Sequence, residues 1–535
     1  MGMGGTPILL FEEGTKREQG KDAQYDNIRA AMTVADAVKS TLGPRGMDKM
    51  MISSAGDVII TNDGITILKE MDVQHPAARM MVEVARTLDE EAGDGTTTAA
   101  VLAGELLKKA IGLIDSNIHP TVIASGYRMA SERAIEVLGT LGIATATDDT
   151  AALSKVAMTA MMSKAVTGSR EHLADLAVKA VGAVAEVVGN RRSVDLGNIQ
   201  IVKRQGGSME SSELVQGVIL DRGPALRSMP KAVKDAKIAL LSSALEVRKT
   251  EVSAEIKITE TSQRRAFLEE EEASLRRMAG RLRRAGANVV ISQKAIDDRI
   301  QNILVKEGVV AVQNVKAPDL EKLSKATGAN IVDRPSELEP GDLGSARSVE
   351  ARKVEDGELT FVTGCKDPKA VALLLRGGTA HVVDEVDRSL DDALNVVRLA
   401  VEDGQAVTGG GSTAVELSMR LRDYADSVGG REQMVVSAFA DALEVVPATL
   451  AENAGLDPID MLVELRNAHQ GGKVNVGVNL LTGKASDMRR ENVLEPMRAN
   501  RQIISSAAEA AIMIIRIDDV ISAKGSPRQE SIGPE

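Results

Sequence analysis

Four short loops in this sequence combine glycine with acidic or hydroxyl side chains at the boundaries of predicted helices and strands. They are Thr41–Gly46 (TLGPRG), Thr61–Gly64 (TNDG), Gly93–Thr98 (GDGTTT) and Thr408–Thr413 (TGGGST). Backbone N–H groups at a helix N-terminus that glycine leaves unobstructed can approach and hold phosphate oxygens. Each loop alone is explained as a turn or a helix cap, but together they indicate a site for a phosphate-bearing ligand such as a nucleotide.

The GDGTTT loop carries the strongest chemical signal of the four. One capping residue is enough for an ordinary helix start, and three consecutive threonines are poor helix formers. The hydroxyl groups of Thr96, Thr97 and Thr98 would add donors for a phosphate. Asp94 cannot face a phosphate alone because two anions repel, so we expect it to bind Mg²⁺ that bridges to the phosphates. A simple helix cap is the alternative interpretation of Asp94.

Other familiar kinds of site are absent from the sequence. There is no GxxxxGK[ST] loop, no GxGxxG after a strand, no GxSxG elbow and no kinase motif set. The single cysteine, Cys365, excludes an intrachain disulfide, and none of the five histidines lies in an HExxH pattern. A net charge of −12, with four Phe, three Tyr and no Trp, argues against nucleic acid as a partner.

Length and hydropathy place the chain among large soluble proteins. Its 535 residues exceed what one hydrophobic core usually serves, so we expect two or three domains. No stretch approaches the roughly 20 uncharged apolar residues that span a bilayer, and the N-terminal apolar run is too short for a signal peptide. We therefore expect a cytoplasmic protein with no membrane partner.

The elements that must position the loops fall into three stretches of chain. Helical periodicity dominates to about Gly142 and again after Gly377, whereas β runs alternate with helices between about Gly217 and Gly377. This order predicts an α/β domain inserted into a helical one. Within the insertion, Ser262–Gly286 predicts a highly charged helix with a narrow apolar stripe, which either projects from its domain or lies on its surface.

A series of motifs along nearly the whole chain resembles the chaperonins, specifically the group II, or archaeal thermosome, branch. The motifs are LGPRGMDKM, TNDGITILKEM, HPAARMMVEVA, AGDGTTTAAVLAGELL, DDAL, GGGSTAVEL, ADALEVVPATLAENAGLDP and RIDDVI. The resemblance implies an ATPase whose binding and hydrolysis of Mg-ATP drive a double-ring chamber that encloses unfolded proteins and promotes folding. The helix around Phe267 would form a built-in lid, so no separate lid protein is expected.

The same resemblance implies the fold class and the domain boundaries. We expect a multi-domain chain with a mainly α-helical equatorial domain, a small α/β intermediate domain and an inserted α/β apical domain with a helical protrusion. The equatorial domain would comprise residues 1–148 and 404–535, and the intermediate domain residues 149–216 and 371–403. The apical domain would comprise residues 217–370, with the protrusion at about 246–286.

The resemblance also implies which residues bind the nucleotide. These are Thr41, Leu42, Gly43, Pro44, Gly95, Thr96, Thr97, Thr98, Lys164, Gly410, Gly411, Asn479 and Glu495. Gly410 and Gly411 would approach the ribose and phosphates, and Asn479 and Glu495 would lie near adenine and ribose. Lys164 resembles the lysine that senses the γ-phosphate in this branch, although its loop departs from the glycine-containing form.

The catalytic groups implied by the resemblance are three carboxylates. Asp94 would hold Mg²⁺, while Asp63 and Asp392 would orient the attacking water, with Asp392 as the general base. Asp391, beside it, is the competing choice for that role. The C-terminal SAKGSPRQESIGPE lacks the Gly/Met-rich tail of many relatives.

Two classes of function stay open at the level of sequence. The favoured one is an ATP-driven folding machine whose partners are unfolded or partly folded client proteins and other chaperonin subunits. The alternative is a nucleotide-binding assembly that holds partners without productive folding. A third, a solitary metabolic phosphotransferase, lacks a recognisable substrate motif. The sequence names neither the clients nor whether the ring is a homo-oligomer or mixed.

Overall fold

Two units make up the structure, which is a computed structural model that describes residues 16–52, 56, 58–145, 149–164, 167–189, 191–246, 261–354, 357–365 and 370–522. The first unit comprises Met1–Thr145, Met162–Lys164 and Asp403–Glu535, and the second comprises Ala146–Met161 and Ala165–Glu402. Both ends of the chain therefore contribute to the first unit. Residues 247–260 of the predicted protrusion and the C-terminal tail from residue 523 lie outside the described residues.

The N-terminal part of the first unit is mainly helical, and two of its helices begin at His-Pro pairs, a sequence pattern that predicts a helix start. The Nδ1 atoms of His75 and His119 accept hydrogen bonds from the backbone N–H groups of Ala77 and Thr121, at 3.2 and 3.3 Å. Proline occupies the first turn of both helices, where no donor is lost. The elements are β1 (Lys16–Gln19), α1 (Lys21–Lys39), β2 (Lys49–Ile52), β3 (Val58–Thr61), α2 (Gly64–Glu70), α3 (Pro76–Ala92), α4 (Thr96–Asp115), α5 (Pro120–Leu141) and β4 (Ile143–Ala144).

The second unit contains most of the β-structure. Its elements are α6 (Thr150–Ala160), α7 (Arg170–Val184), β5 (Ala185–Val188), β6 (Arg191–Val194), β7 (Ile199–Gln205), β8 (Glu213–Val215), β9 (Gly217–Leu220), β10 (Ala232–Leu241), α8 (Thr261–Ala285), β11 (Val289–Ser292), α9 (Asp298–Lys306), β12 (Val310–Val312), α10 (Ala317–Thr327), β13 (Ile331–Val332), β14 (Gly344–Val354), β15 (Gly357–Thr363), β16 (Val371–Gly377) and α11 (Ala380–Asp403), whose last residue belongs to the first unit.

A seven-stranded mixed sheet organises the inserted α/β part. Its order is β12-β11-β10-β14-β15-β9, and β13 pairs with β10. Alternate residues of β10 and β11 enter different hydrophobic clusters, Leu240 and Ile291 with helix α10, and Leu241 and Val290 with helices α8 and α9. Both faces of the sheet are therefore covered, as the predicted alternation of β runs and helices requires. Strand β16 instead lies in a three-stranded sheet, β7-β16-β8.

Helix α8 is not a uniformly projecting or solvated helix. Leu275 and Leu282 are buried in the cluster on one face of the seven-stranded sheet, and Met278 packs against it. The apolar stripe read from the sequence is thus a core contact over the C-terminal half of the helix. The predicted protrusion, at about 246–286, therefore includes core residues near its end. The side chains of Phe267 and Leu268 lie outside the described part of the chain.

The C-terminal part of the chain completes the first unit. Strand β17 pairs with β4, and β21 pairs with β1, so strands from opposite ends of the chain lie side by side. The elements are β17 (Gln405–Thr408), α12 (Ser412–Val428), α13 (Gly430–Leu443), α14 (Val445–Asn453), α15 (Pro458–Gln470), β18 (Val476–Asn479), β19 (Lys484–Asp487), β20 (Leu494–Pro496), α16 (Met497–Ile515) and β21 (Asp519–Ser522).

Helix α4 forms the centre of the first unit. Six consecutive residues, Ala99–Gly104, are buried, so no side of the helix faces solvent at that level. Among the described residues, one stretch, Gly430–Asn453, is long and apolar enough to cross a membrane by composition, but 61% of its apolar 18-residue window is buried inside the fold. That stretch comprises α13 and α14, and core helices commonly pass the same test.

Candidate functional site

Asp63 connects the start of helix α2 to Lys164. Its Oδ2 atom accepts hydrogen bonds from the Thr66 backbone N–H at 3.2 Å and the Thr66 hydroxyl at 2.6 Å. Its Oδ1 atom lies 3.2 Å from the Lys164 Nζ, and the lysine is only 5% exposed. Burial raises the pKa of Asp63, but the Lys164 charge and the Thr66 hydrogen bonds outweigh it and hold the pKa below its usual value. Lys164 is therefore a buried, paired lysine and not a solvated one.

Asn62 holds the lysine segment from the other side. Its side-chain amide donates a hydrogen bond to the carbonyl of Ser163, which directly precedes Lys164. The TNDG loop thus contacts the 162–164 segment twice. Asn62 binds the backbone carbonyl of Ser163, and Asp63 forms an ion pair with Lys164. The Asn62 Oδ1 atom is buried and has no hydrogen-bond partner among the described residues.

Asp94 lies between the end of one helix and the start of another. Gly93 ends α3 in the left-handed conformation, and the Asp94 Oδ1 accepts the N–H of Gly95 at 2.6 Å. Gly95 is itself the N-cap of α4, and no side chain caps that helix. The interpretation of Asp94 as the cap of α4 is therefore wrong. Burial raises the pKa of Asp94, and the charge of Asp63 raises it further, whereas the Gly95 N–H and the Lys164 charge lower it.

The TNDG and GDGTTT loops are direct neighbours. A Cβ atom at Gly64 would overlap the Thr97 hydroxyl, so the first turns of α2 and α4 touch. Since the charges of Lys164 and Asp63 act on Asp94, the three groups form one cluster at these helix starts. The uncapped first turn of α4, which carries Thr96–Thr98, leaves backbone donors available to an anion.

The TLGPRG loop closes against helix α14. Gly43 has φ of 82°, and a Cβ atom there would overlap the Leu450 side chain, so both its backbone and its surroundings require glycine. The Thr41 hydroxyl donates to the Val38 carbonyl at 2.9 Å. The hydroxyl thus satisfies a carbonyl group at the end of helix α1. In this bond its proton is used within the chain and not for a ligand. The loop is folded back on itself, with the Gly46 N–H donating to Gly43 O at 2.8 Å.

The TGGGST loop opens helix α12 in the same manner as GDGTTT opens α4. Gly411, with φ of 77°, is the N-cap, and no side chain caps the helix. A Cβ atom at this glycine would lie 2.8 Å from Pro447 Cβ, on helix α14. The Gly410 carbonyl accepts the N–H of Val478 at 2.9 Å, which joins the loop to strand β18.

Glu495 and Asn479 lie on strands next to this loop. A Cβ atom at Gly409 would be 2.5 Å from Glu495 Oε1, so the carboxylate touches the loop backbone. Burial raises the pKa of Glu495, Asn500 lowers it through a 2.8 Å hydrogen bond, and the charge of Asp94 raises it. The Asn479 Oδ1 accepts the N–H groups of Leu481 and Thr482 at 3.0 and 3.1 Å. The Asn479 side-chain oxygen therefore stabilises the turn that follows strand β18.

Asp392 belongs to a different unit from the residues described so far. It is half-buried on helix α11, next to the buried Ala393, and belongs to the second unit. Asp391 beside it is exposed. All other predicted site residues belong to the first unit. The assignment of Asp392 as general base stays a prediction.

The donor set suits Mg²⁺. This ion is usually bound by one or two carboxylates together with phosphate oxygens and water. The Asp94 Oδ2 accepts no hydrogen bond from the part of the chain that the structure describes. Because burial raises the pKa of Asp94 and the charge of Asp63 raises it further, a cation at Oδ2 would favour the ionised carboxylate.

Comparison with known proteins defines the class to which this fold and site belong. The profile of the TCP-1/cpn60 chaperonin family matches residues 34–525, so the chain belongs to this family. It is 54% identical over 531 residues to thermosome subunit alpha of Archaeoglobus fulgidus, covering 99% of this chain and 97% of that protein. It is 53% identical over 521 residues to the thermosome subunit of Pyrococcus horikoshii, covering 97% and 95%.

A solved structure agrees with these relatives. The open-state monomer of a group II chaperonin from Methanococcoides burtonii has a TM-score of 0.60 and 46% identity, covering 79% of this chain and 100% of that one. The predicted resemblance to group II chaperonins and the predicted fold class are therefore confirmed. The division into three domains at the stated boundaries stays a prediction.

Sequence reasoning missed the side chains that hold the site together. Thr66 binds Asp63, Asn62 binds the lysine segment, and Asn500 binds Glu495. Only Thr66 had a local signal, since it lies three residues after a helix-capping aspartate. Asn62 and Asn500 contact groups that no sequence pattern in this chain links to them.

Proposed function

We propose that this chain is an ATP-dependent chaperonin subunit, in which binding and hydrolysis of Mg-ATP drive the folding of enclosed proteins. The observation that carries the proposal is the cluster of Asp63, Asp94 and Lys164 where the start of α2, which Asp63 caps, adjoins the uncapped start of α4. A cluster of this kind suits a ligand that brings both phosphate oxygens and a divalent cation. Family membership supports the same conclusion.

The residues have separate roles in the proposed reaction. Backbone N–H groups of Thr96–Thr98 would hold phosphate oxygens, because the Gly95 N–H is donated to Asp94. Asp94 would hold Mg²⁺, which would neutralise charge on the phosphates. Asp63 orients a water molecule toward the γ-phosphorus. As the new P–O bond forms, the bond from that phosphorus to the ADP oxygen breaks, and Asp392 accepts the proton of the water.

Lys164 is proposed to report the γ-phosphate to the rest of the chain. Its ammonium group is paired with Asp63, and a γ-phosphate would compete for the same charge. The residues on both sides of Met162–Lys164 belong to the second unit. A change in what holds Lys164 would therefore pull on that unit directly and bias its conformation.

The larger assembly is proposed from the relatives and the resemblance. Relatives named thermosome subunit alpha and subunit beta support an assembly of several subunits, here a double ring with a built-in lid. The proposed partners are other chaperonin subunits and unfolded or partly folded client proteins. A cytoplasmic location is proposed because a single buried, free cysteine suits a reducing compartment.

One experiment separates the proposed function from its alternatives. The size of the purified protein is determined by light scattering, and a denatured client is refolded with ATP, with a non-hydrolysable analogue or without nucleotide. We expect a large assembly and recovery of client activity that requires hydrolysis. A large assembly that binds nucleotide but holds the client without recovery would indicate the structural alternative. A monomer, or recovery independent of ATP, would contradict the proposal.

A further inference from the structure

The end of helix α1 leads directly into the TLGPRG loop, and its carbonyl groups need partners outside the helix. Val38 O accepts from Thr41, and Ser40 O accepts the N–H of Met47 at 2.8 Å. These bonds are local and follow from the tight turn of the loop. The carbonyl of Leu42, in the middle of the loop, receives no such local bond within the described chain.

Asn453 supplies the missing donor from the far end of the chain. Its Nδ2 atom lies 2.9 Å from Leu42 O and 3.1 Å from Lys39 O. One amide group therefore joins the last residue of α1 to the middle of the loop. Both contacts need N–H donors, because each partner is a carbonyl oxygen. Asn453 is the last residue of α14, so its position is fixed by a core helix.

The same helix also limits the loop sterically. Leu450, one turn before Asn453, covers Gly43 so closely that a Cβ there would overlap it. Helix α14 thus holds two successive loop residues, Leu42 by hydrogen bond and Gly43 by contact. Its own first turn touches Gly411 through Pro447. Both glycine loops are therefore shaped against one helix.

We propose that Asn453 is a positioning residue for the nucleotide, which fixes the backbone of Thr41–Pro44 in the shape that binds it. The inference rests on the proposed function and on the resemblance, which implies that Thr41, Leu42, Gly43 and Pro44 bind the nucleotide. Loop contacts of this kind are made equally to the bound substrate and to the transition state. Asn453 therefore governs affinity for the nucleotide and not the rate of the chemical step.

The test compares Asn453→Asp with Glu452→Gln in the full-length protein. Asn453→Asp keeps the shape of the side chain but places carboxylate oxygens against the carbonyl oxygens of Lys39 and Leu42. Glu452→Gln is the matched control, because Glu452 is 58% exposed and pairs with Lys39 Nζ at 2.8 Å without touching the loop. Binding of Mg-ADP is measured by calorimetry, and the KM and kcat of ATP hydrolysis by phosphate release.

We expect Asn453→Asp to weaken Mg-ADP binding and raise KM by about tenfold, which corresponds to about 1.4 kcal/mol for loss of the hydrogen bond to Leu42 O in the loop. The kcat should stay within about twofold, and Glu452→Gln should match the wild type in all three quantities. If Asn453→Asp does not fold, as judged by circular dichroism, Asn453→Ala replaces it with the same expectation.

Two results would overturn the inference, and they are distinguishable. If the wild type binds Mg-ADP and Asn453 variants bind it equally well, or lose only kcat, Asn453 has a structural role alone. If the wild type itself binds no Mg-ADP and hydrolyses no ATP, the proposed function falls and the inference falls with it.

Discussion

Asp63 and Asp94 are neighbouring carboxylates whose pKa values shift in opposite directions. Both are desolvated, but Asp63 gains Lys164 and two Thr66 donors, whereas Asp94 gains one N–H and faces the charge of Asp63. Ionised Asp63 therefore stabilises the fold above the ordinary pKa of aspartate, and this contribution is lost as pH falls through its lowered pKa. Ionised Asp94 destabilises the fold at neutral pH. Opposite shifts in adjacent acids are typical of sites with divided roles.

Replacing Asp94 should separate stability from function. Asp94→Asn removes a carboxylate whose ionisation the fold opposes, so without nucleotide the protein should be more stable by roughly 1 kcal/mol. Because the gain reflects the raised pKa of Asp94, it should shrink as pH falls through that pKa. ATP hydrolysis should be lost. Denaturant unfolding in EDTA and phosphate release measure the two effects, and a less stable Asp94→Asn protein would contradict the electrostatic account.

Asp392→Ala tests the general base, with Asp391→Ala as its matched neighbour. We expect Asp392→Ala to bind ATP normally and to lose turnover by at least about 100-fold, the usual contribution of a general base. Asp391→Ala should hydrolyse ATP at the wild-type rate. The readouts are calorimetric ATP binding and steady-state phosphate release. Unchanged turnover in Asp392→Ala would refute its assignment, and loss in Asp391→Ala alone would transfer the role.

Lys164→Ala tests the proposed γ-phosphate sensor. The variant should hydrolyse ATP but show impaired closure, because no ammonium group then links the phosphate to the chain on either side of 162–164. Closure is measured as ATP-dependent protection from protease. Lys179→Ala, which removes an exposed lysine paired with Asp175, is the control. Protection indistinguishable from the wild type would exclude Lys164 as the sensor.

At the scale of elements, a buried carboxylate joins four helices of the first unit. Glu444 lies between α13 and α14, and its side chain is only 5% exposed. Its Oε1 accepts from Ser418 of α12 at 3.1 Å, Arg422 of α12 at 3.0 Å and Arg466 of α15 at 2.8 Å. Burial raises the pKa of Glu444, but the hydrogen bonds and charges of the two arginines bring it below its usual value.

Glu444→Gln should destabilise the first unit. The amide would present N–H groups to two arginines, so the free energy of unfolding should fall by about 2 kcal/mol. This loss is smaller than that for a fully buried ion pair, because both arginines are partly exposed. A lowered pKa means that the contribution is present above the ordinary pKa of glutamate and is lost as pH falls through the lowered value. The deficit should therefore be larger at pH 7 than in acid.

Urea unfolding followed by hydrogen exchange in α12 and α15 measures this deficit. Glu464→Gln, at an exposed position of α15, is the control and should change stability by less than about 0.5 kcal/mol. A deficit that is the same at pH 7 and in acid would show that the charge of Glu444 does not stabilise these helices.

The elements were more predictable from the sequence than their contacts. His75 and His119 marked helix starts, and TNDG marked the start of α2, because caps and proline act within a few residues. No local pattern predicts that Lys164 pairs with Asp63, since 101 positions separate them. Strands β14 and β15 are also not predicted from the sequence. Charged residues alternate through RSVEARKVEDGELT and obscure the apolar pattern of the buried face.

The whole molecule has its hydrophobic cores in two units, only one of which carries the glycine loops. Mg-ADP at 100 times its dissociation constant should stabilise the unit that binds it by about 2.7 kcal/mol. Hydrogen exchange should therefore slow in α4 and α12 of the first unit far more than in the seven-stranded sheet of the second. Mg²⁺ without nucleotide is the control. Equal slowing in both units would contradict binding of Mg-ADP by the glycine loops of the first unit.

The interleaving of both chain ends in the first unit has a consequence during protein synthesis. A nascent chain that has reached Glu402 contains Asp63, Asp94 and Lys164 but lacks β17, which pairs with β4, and α14, which shapes the loop after α1. The second unit, which ends at Glu402, is by then complete. Because domains generally fold as units while the ribosome adds residues in order, the second unit should fold before the first. A ribosome-bound intermediate of that length should therefore lack the proposed nucleotide site.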